Sequence, residues 1–76
     1  MRKLDLHGIK HEEVRHKVIR FIEDSWGIEE EIKIMTGNSK NMQEIVKEVI
    51  NEYKLEYIVG DFIGFDRSFI EVKMGL

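Results

Sequence analysis

Glu31-Ile32-Lys33-Ile34-Met35-Thr36-Gly37-Asn38-Ser39-Lys40-Asn41 is the stretch on which the fold turns. Ile32 and Ile34 alternate with charged neighbours and fall on one face, so Glu31–Met35 reads as a short strand. Thr36 to Lys40 collects threonine, glycine, asparagine and serine, the composition of a turn. Asn41 stands where it can cap a helix, with Glu44 three residues later in a capping-box pattern. Beyond it Met42, Ile45, Val46, Val49, Ile50 and Tyr53 recur at helical spacing and predict an amphipathic helix. A strand that runs directly into a helix of this length suits a crossover between parallel strands.

The same pattern appears upstream. Arg2–Leu6 alternates polar and apolar residues as a strand does. From His11 to Trp26, Val14, Val18, Phe21, Ile22 and Trp26 keep helical spacing, and Gly27 terminates the run. Lys10 is a poor capping residue, although Glu13 places acid in the first turn. Downstream, Tyr57–Phe62 predicts a third strand, Gly64-Phe65-Asp66-Arg67 a connecting turn, and Ser68–Met74 a fourth strand. In that last strand Ile70, Val72 and Met74 share one face, and Phe69, Glu71 and Lys73 the other. The expected fold class is therefore α/β: a two-layer sandwich of order β-α-β-α-β-β, with a four-stranded mixed sheet and two helices covering one face. Trp26, Phe21 and Tyr53 are expected in the core.

Residues 1–76 are read as a single domain, because the chain shows no linker, repeat or low-complexity tract. It has no cysteine, hence no disulfide, dithiol or thiolate metal site. The longest apolar runs are about four residues against the roughly 20 needed to span a bilayer. The N-terminus lacks the apolar core of a signal peptide, so no membrane association and a cytoplasmic location are expected. The net charge of −3 argues against a surface wrapped wholly in nucleic acid. Its distribution says more. Residues 1–20 carry six Lys/Arg against three Asp/Glu and all three histidines, whereas residues 21–32 carry five acids and no base.

Two segments could carry chemistry. In Leu4-Asp5-Leu6-His7-Gly8, alternation sends both leucines to the covered face and leaves Asp5 and His7 together on the other face or at the strand end. A carboxylate that accepts from one imidazole nitrogen orients the other for proton transfer, although such a pair also serves as a plain surface hydrogen bond. Gly8 permits a sharp exit. In Thr36-Gly37-Asn38-Ser39-Lys40, a glycine-containing turn at a helix N-terminus offers free N–H groups, hydroxyls and a lysine to a phosphate. Simple helix capping is the alternative. If the first two strands are parallel, both segments leave the same edge of the sheet, where open α/β sheets place their ligands.

The first segment, followed by a helix containing Glu12-Glu13, resembles the opening of the Smr (small MutS-related) domain. Ile34-Met35-Thr36-Gly37-Asn38-Ser39 is similar to the family's second motif, a His/Thr-Gly-x-Gly turn, with Ser39 where the second glycine usually stands. The family's glycine-rich final hairpin is reduced here to Gly60 and Gly64. The resemblance covers essentially the whole chain and implies a stand-alone minimal copy with the fold of the C-terminal domain of translation initiation factor 3. It also implies an endonuclease that nicks DNA or cleaves RNA, with an association with ribosomes seen in some members. By position, Asp5 and His7 would be the catalytic pair and Thr36 and Gly37 part of the second motif.

For RNA, His7 would take the proton of the 2′-hydroxyl and Asp5 orient the imidazole. Gly8 and the Thr36–Lys40 turn (Thr36, Gly37, Asn38, Ser39, Lys40) would hold the phosphate, with no cofactor required. A DNA nick would call for an activated water, usually with a divalent metal. His11 and His16 lie at i, i+5, off the spacing of a helical metal pair, so no metal site is assigned. Arg67 and Phe69 are placed as base contacts on the open sheet face or hairpin tip. Phe69 could equally be covered by a second copy, giving a monomer or a weak homodimer through the open face. A non-catalytic nucleic-acid-binding module of the same fold, ribosome-associated or not, is the alternative function.

Overall fold

The alternation and helical periodicity become six elements: β1 (Arg2–Asp5), α1 (His11–Ser25), β2 (Glu31–Met35), α2 (Lys40–Glu52), β3 (Glu56–Asp61) and β4 (Ser68–Lys73). The computed structural model describes residues 1–37, 39–61 and 68–75. The expected turn at Gly64–Arg67 and the end of the third strand at Phe62 lie outside the described residues. The strands form one mixed sheet in the order β1-β2-β4-β3. β1 and β2 are parallel, and β4 is antiparallel to both β2 and β3. The chain thus passes from β2 through α2 to β3 and leaves a gap, which β4 fills on its return.

Both helices cover the same face and pack on each other. Val14, Val18 and Ile22 of α1 and Met42, Val46, Val49 and Ile50 of α2 meet Leu6, Ile32, Ile34, Ile70, Val72 and Met74 of the sheet layer in one buried cluster. The register carries the other alternation set to the opposite face, where Asp5, Met35 and Phe69 form one row and Lys3, Lys33 and Glu71 the next. Outside the core, the Arg15 guanidinium grips both Glu52 carboxylate oxygens, at 2.8 and 2.6 Å, across the two helices. That bond holds the Glu52 carboxyl below its ordinary range and Arg15 above its own. The Tyr53 hydroxyl donates to Glu23 at 2.6 Å, which raises the phenol above its usual value.

Three details depart from expectation. Ser39, not Asn41, caps α2: its hydroxyl oxygen accepts the Met42 N–H at 3.2 Å, so the helix starts at Lys40. Trp26 is not in the core. Helix α1 ends at Ser25, and the indole one residue beyond is 50% exposed, 6.1 Å from the Tyr53 ring. Phe21 and Tyr53 are only half-buried at the margin of the core. As expected, Lys10 precedes α1 without a side-chain cap.

The C-terminus of α2 carries strain. Lys54 N–H donates to Asn51 and Leu55 N–H to Ile50, the paired bonds of a Schellman cap, which place Lys54 at φ 56°. A side chain in the left-handed region costs about 1–2 kcal/mol, a penalty glycine escapes. Lys54→Gly is therefore expected to raise the stability by up to about 1 kcal/mol, after the greater freedom of glycine in the unfolded chain is subtracted. A urea melt beside the parent chain measures it, and an unchanged or lower midpoint would show that the lysine is not strained.

Candidate functional site

The parallel pairing of β1 with β2 aligns Asp5 with Met35, and the Leu6 N–H donates to the Met35 carbonyl at 3.0 Å. The chain therefore leaves both strands side by side, with His7-Gly8 next to Thr36-Gly37. Each helix begins just after its strand, so the N-termini of α1 and α2 lie at this same end of the sheet with their unsatisfied N–H groups and positive dipole ends. His7, Lys10, His11 and Lys40 are all exposed here. The helix C-termini and the acidic residues Glu23, Asp24 and Glu29 to Glu31 lie toward the other end, where Met1, Ile28 and those three glutamates line a shallow cleft. The charge polarity of the sequence does not carry over to the fold: Arg2 and Lys3 start β1 at that far end, and Asp5, Glu12 and Glu13 are exposed beside Lys10 and Lys40 at the near one.

Asp5 and His7 are both exposed at the strand end, but their contact differs from expectation. Asp5 Oδ1 accepts the backbone N–H of His7 at 2.9 Å, not an imidazole proton. The carboxylate folds back over the strand end and fixes the peptide of His7. The Ile9 N–H then bonds the Leu6 carbonyl at 3.1 Å, closing a turn in which Gly8 has φ +78°. A residue with a side chain is strained there, so His7 is held between an Asp clamp and a glycine-dependent turn.

The second segment is more heavily engaged than the sequence suggests. Thr36 is buried, and the N–H groups of Thr36 and Gly37 both donate to the Ser68 carbonyl, at 3.0 and 3.1 Å. The Thr36 hydroxyl lies 3.2 Å from the same oxygen and 3.0 Å from the Gly37 carbonyl. Two successive N–H groups of this kind make a nest suited to an anion; here the first oxygen of β4 occupies it. Ser39 caps α2, and its carbonyl accepts the Gln43 N–H. Among the described residues, the groups left facing outward are the Lys40 side chain and the N–H groups of Lys40 and Asn41, which have no acceptor within a helix. Asn38 lies outside the described residues.

Gln43 is a residue that the pattern of the sequence did not single out. Its side-chain amide donates to the Gly37 carbonyl at 3.1 Å and braces the turn from one helical turn away. A polar side chain four residues after the cap, beside the apolar stripe, was its only signal. Thr36→Val removes the hydroxyl but leaves two N–H donors on Ser68, so the expected loss is about 1 kcal/mol, the net worth of one hydrogen bond. Chemical denaturation measures that loss, and one above about 3 kcal/mol would show that the valine also disrupts packing.

Phe69, on the open face, is half-buried. The Lys33 ammonium sits 4.4 Å from its ring centroid, a cation–π geometry. A methyl group on Gly60 would collide with the end of the ring, so the phenyl lies over the glycine of the neighbouring strand. The ring is already engaged within its own sheet. Arg67 lies outside the described residues. Among the described residues, no three His, Asp or Glu side chains converge as metal ligands, and no helix is long and apolar enough to cross a membrane. Neither the family models, the curated proteins nor the solved structures compared with this chain match it.

Proposed function

We propose that this chain is an Smr-like domain that grips a phosphodiester backbone at the carboxyl ends of β1 and β2 and cleaves it, with RNA preferred to DNA. The observation that carries this reading is the convergence of the His7-Gly8 turn, the Thr36–Lys40 turn and two helix N-termini on one exposed end of the sheet. The order β1-β2-β4-β3 with both helices on one face is compatible with the fold of the C-terminal domain of translation initiation factor 3, as the resemblance implies. An open surface suits a polymer, and a cytoplasmic RNA, free or ribosomal, is the proposed partner.

In this scheme His7 accepts the proton of the 2′-hydroxyl, and the 2′-oxygen attacks phosphorus. The bond from phosphorus to the 5′-oxygen breaks, and that oxygen takes a proton from water as it leaves. The products are a 2′,3′-cyclic phosphate and a 5′-hydroxyl. Asp5 acts as a positioning residue through the His7 peptide. Lys40 and the free N–H groups at the start of α2 face the phosphate charge. The engagement of the Thr36 and Gly37 N–H groups by Ser68 favours a second reading, a module of this fold that binds nucleic acid without cutting it.

Labelled single- and double-stranded RNA and DNA, incubated with and without EDTA, separate these readings. RNA cleavage in EDTA that stops when the scissile nucleotide is 2′-deoxy supports the scheme. Equal cutting of the deoxy substrate overturns it. Binding without cleavage favours the module, and no binding to either polymer at low salt, where phosphate contacts are strongest, overturns both.

A further inference from the structure

The two edges of the sheet are not alike. β1 is four residues, Arg2-Lys3-Leu4-Asp5, of which three are charged, a composition that discourages pairing with another chain. β3 is six residues, Glu56-Tyr57-Ile58-Val59-Gly60-Asp61, with charge only at its ends and neither proline nor lysine within it. It bonds to β4 on one side, and among the described residues no strand lies along the other. Ile58, on the open face, is 55% exposed, and Val59, on the helix face, is 42% exposed. Unpaired backbone groups flanked by apolar side chains on both faces form a template for strand addition.

The strand is complementary to itself. Antiparallel pairing about a two-fold axis normal to the sheet keeps the helices of both copies on one side, so paired residues must share a face. With the axis at Ile58, that side chain meets Ile58 of the second copy, Tyr57 meets Val59, and Glu56 falls opposite Gly60. Apolar residues then pair on both faces, and no like charges confront each other. Moving the axis to Val59 would set Ile58 against Gly60 and Tyr57 against Asp61, which loses the apolar match.

We propose that the chain forms a symmetric homodimer through β3, a continuous sheet of four strands from each copy in the register centred on Ile58. This surface is the sheet edge, not the open face considered from the sequence. A six-residue strand gives a contact only about 20 Å long. Such a strip is smaller than the roughly 800 Å² per partner of standard stable interfaces, so the dimer exchanges with monomer as concentration falls. The candidate site on β1 and β2 stays open on the outer flank of each copy.

The absence of cysteine makes the register directly testable. On the two-fold axis the paired Cα atoms lie about 4.5–5.5 Å apart, within disulfide reach. Ile58→Cys is therefore expected to cross-link under mild oxidation about tenfold faster than Val59→Cys or Ile28→Cys, whose side chains are exposed but not self-opposed. In sedimentation equilibrium the mass of the parent chain should rise from 9.1 kDa toward twice that value between micromolar and millimolar concentration. Ile58→Lys, an exposed substitution whose folding circular dichroism verifies, should stay monomeric, while Ile28→Lys still dimerises. A parent chain that remains at 9.1 kDa throughout overturns the proposal. So does an Ile58→Lys variant that dimerises like the parent, or an Ile28→Cys variant that cross-links as fast as Ile58→Cys.

Discussion

His7→Ala is expected to lower RNA cleavage by about 10²–10⁴-fold, the contribution typical of a positioned general base. The imidazole is exposed and makes no hydrogen bond among the described residues, so the variant should fold and bind RNA as before. The loss should therefore appear in the cleavage rate and not in affinity. Asp5 can be tested more finely, because its Oδ1 accepts a backbone N–H and an asparagine can do the same. If the clamp on the His7 peptide is its role, Asp5→Asn keeps most of the rate and Asp5→Ala loses it. Equal losses in both would move the carboxylate charge itself into the chemistry. Single-turnover cleavage with saturating enzyme measures these rates, and activity unchanged in His7→Ala would remove the histidine from the mechanism.

Ile34→Ala is expected to cost the fold a large share of its stability. Ile34 lies fully buried on β2, a central strand, with Leu4 of β1 and Ile70 of β4 paired to it on either side. Truncating a buried isoleucine costs about 2–5 kcal/mol, the lost transfer energy plus the cavity left behind. A domain of this size has about 4–11 kcal/mol of stability in all, so the variant should lose a large share of it. With a urea slope of about 1–2 kcal/mol/M, the midpoint should fall by one to several molar units. Val59→Ala, at an exposed edge position, should shift it little. A midpoint in Ile34→Ala within about 0.5 M of the parent would mean that neighbouring side chains collapse into the space.

The apolar periodicities named the right faces. Ile32 and Ile34, Ile70, Val72 and Met74, and the stripes Val14-Val18-Ile22 and Met42-Val46-Val49-Ile50 are all buried. Trp26 misled because spacing continues past a helix end even where the helix does not. The helix stops at Ser25: Trp26 is already extended, with ψ 127°, Gly27 at φ +76° completes the turn, and the indole is left at the surface. Ser39 caps α2 where Asn41 is expected, because both residue types cap well and only the bond to the Met42 N–H chooses between them.

At the candidate site, the residue types at the ends of β1 and β2 are legible in the chain, and parallel pairing brings those ends together. What the end of β2 bonds to is decided elsewhere in the chain. The Thr36 and Gly37 N–H groups read as an open anion cradle until β4 comes between β2 and β3 and sets the Ser68 carbonyl in it. Asp5 reads as a partner for imidazole, but its oxygen takes the backbone N–H of His7 two residues on, a local bond that competes with any to the ring. Element order and buried faces follow from periodicity within a dozen residues, which a chain carries locally. Strand order, and the Ser68 carbonyl that Thr36 and Gly37 bond to, depend on segments some thirty residues apart, and only the packed sheet brings those together.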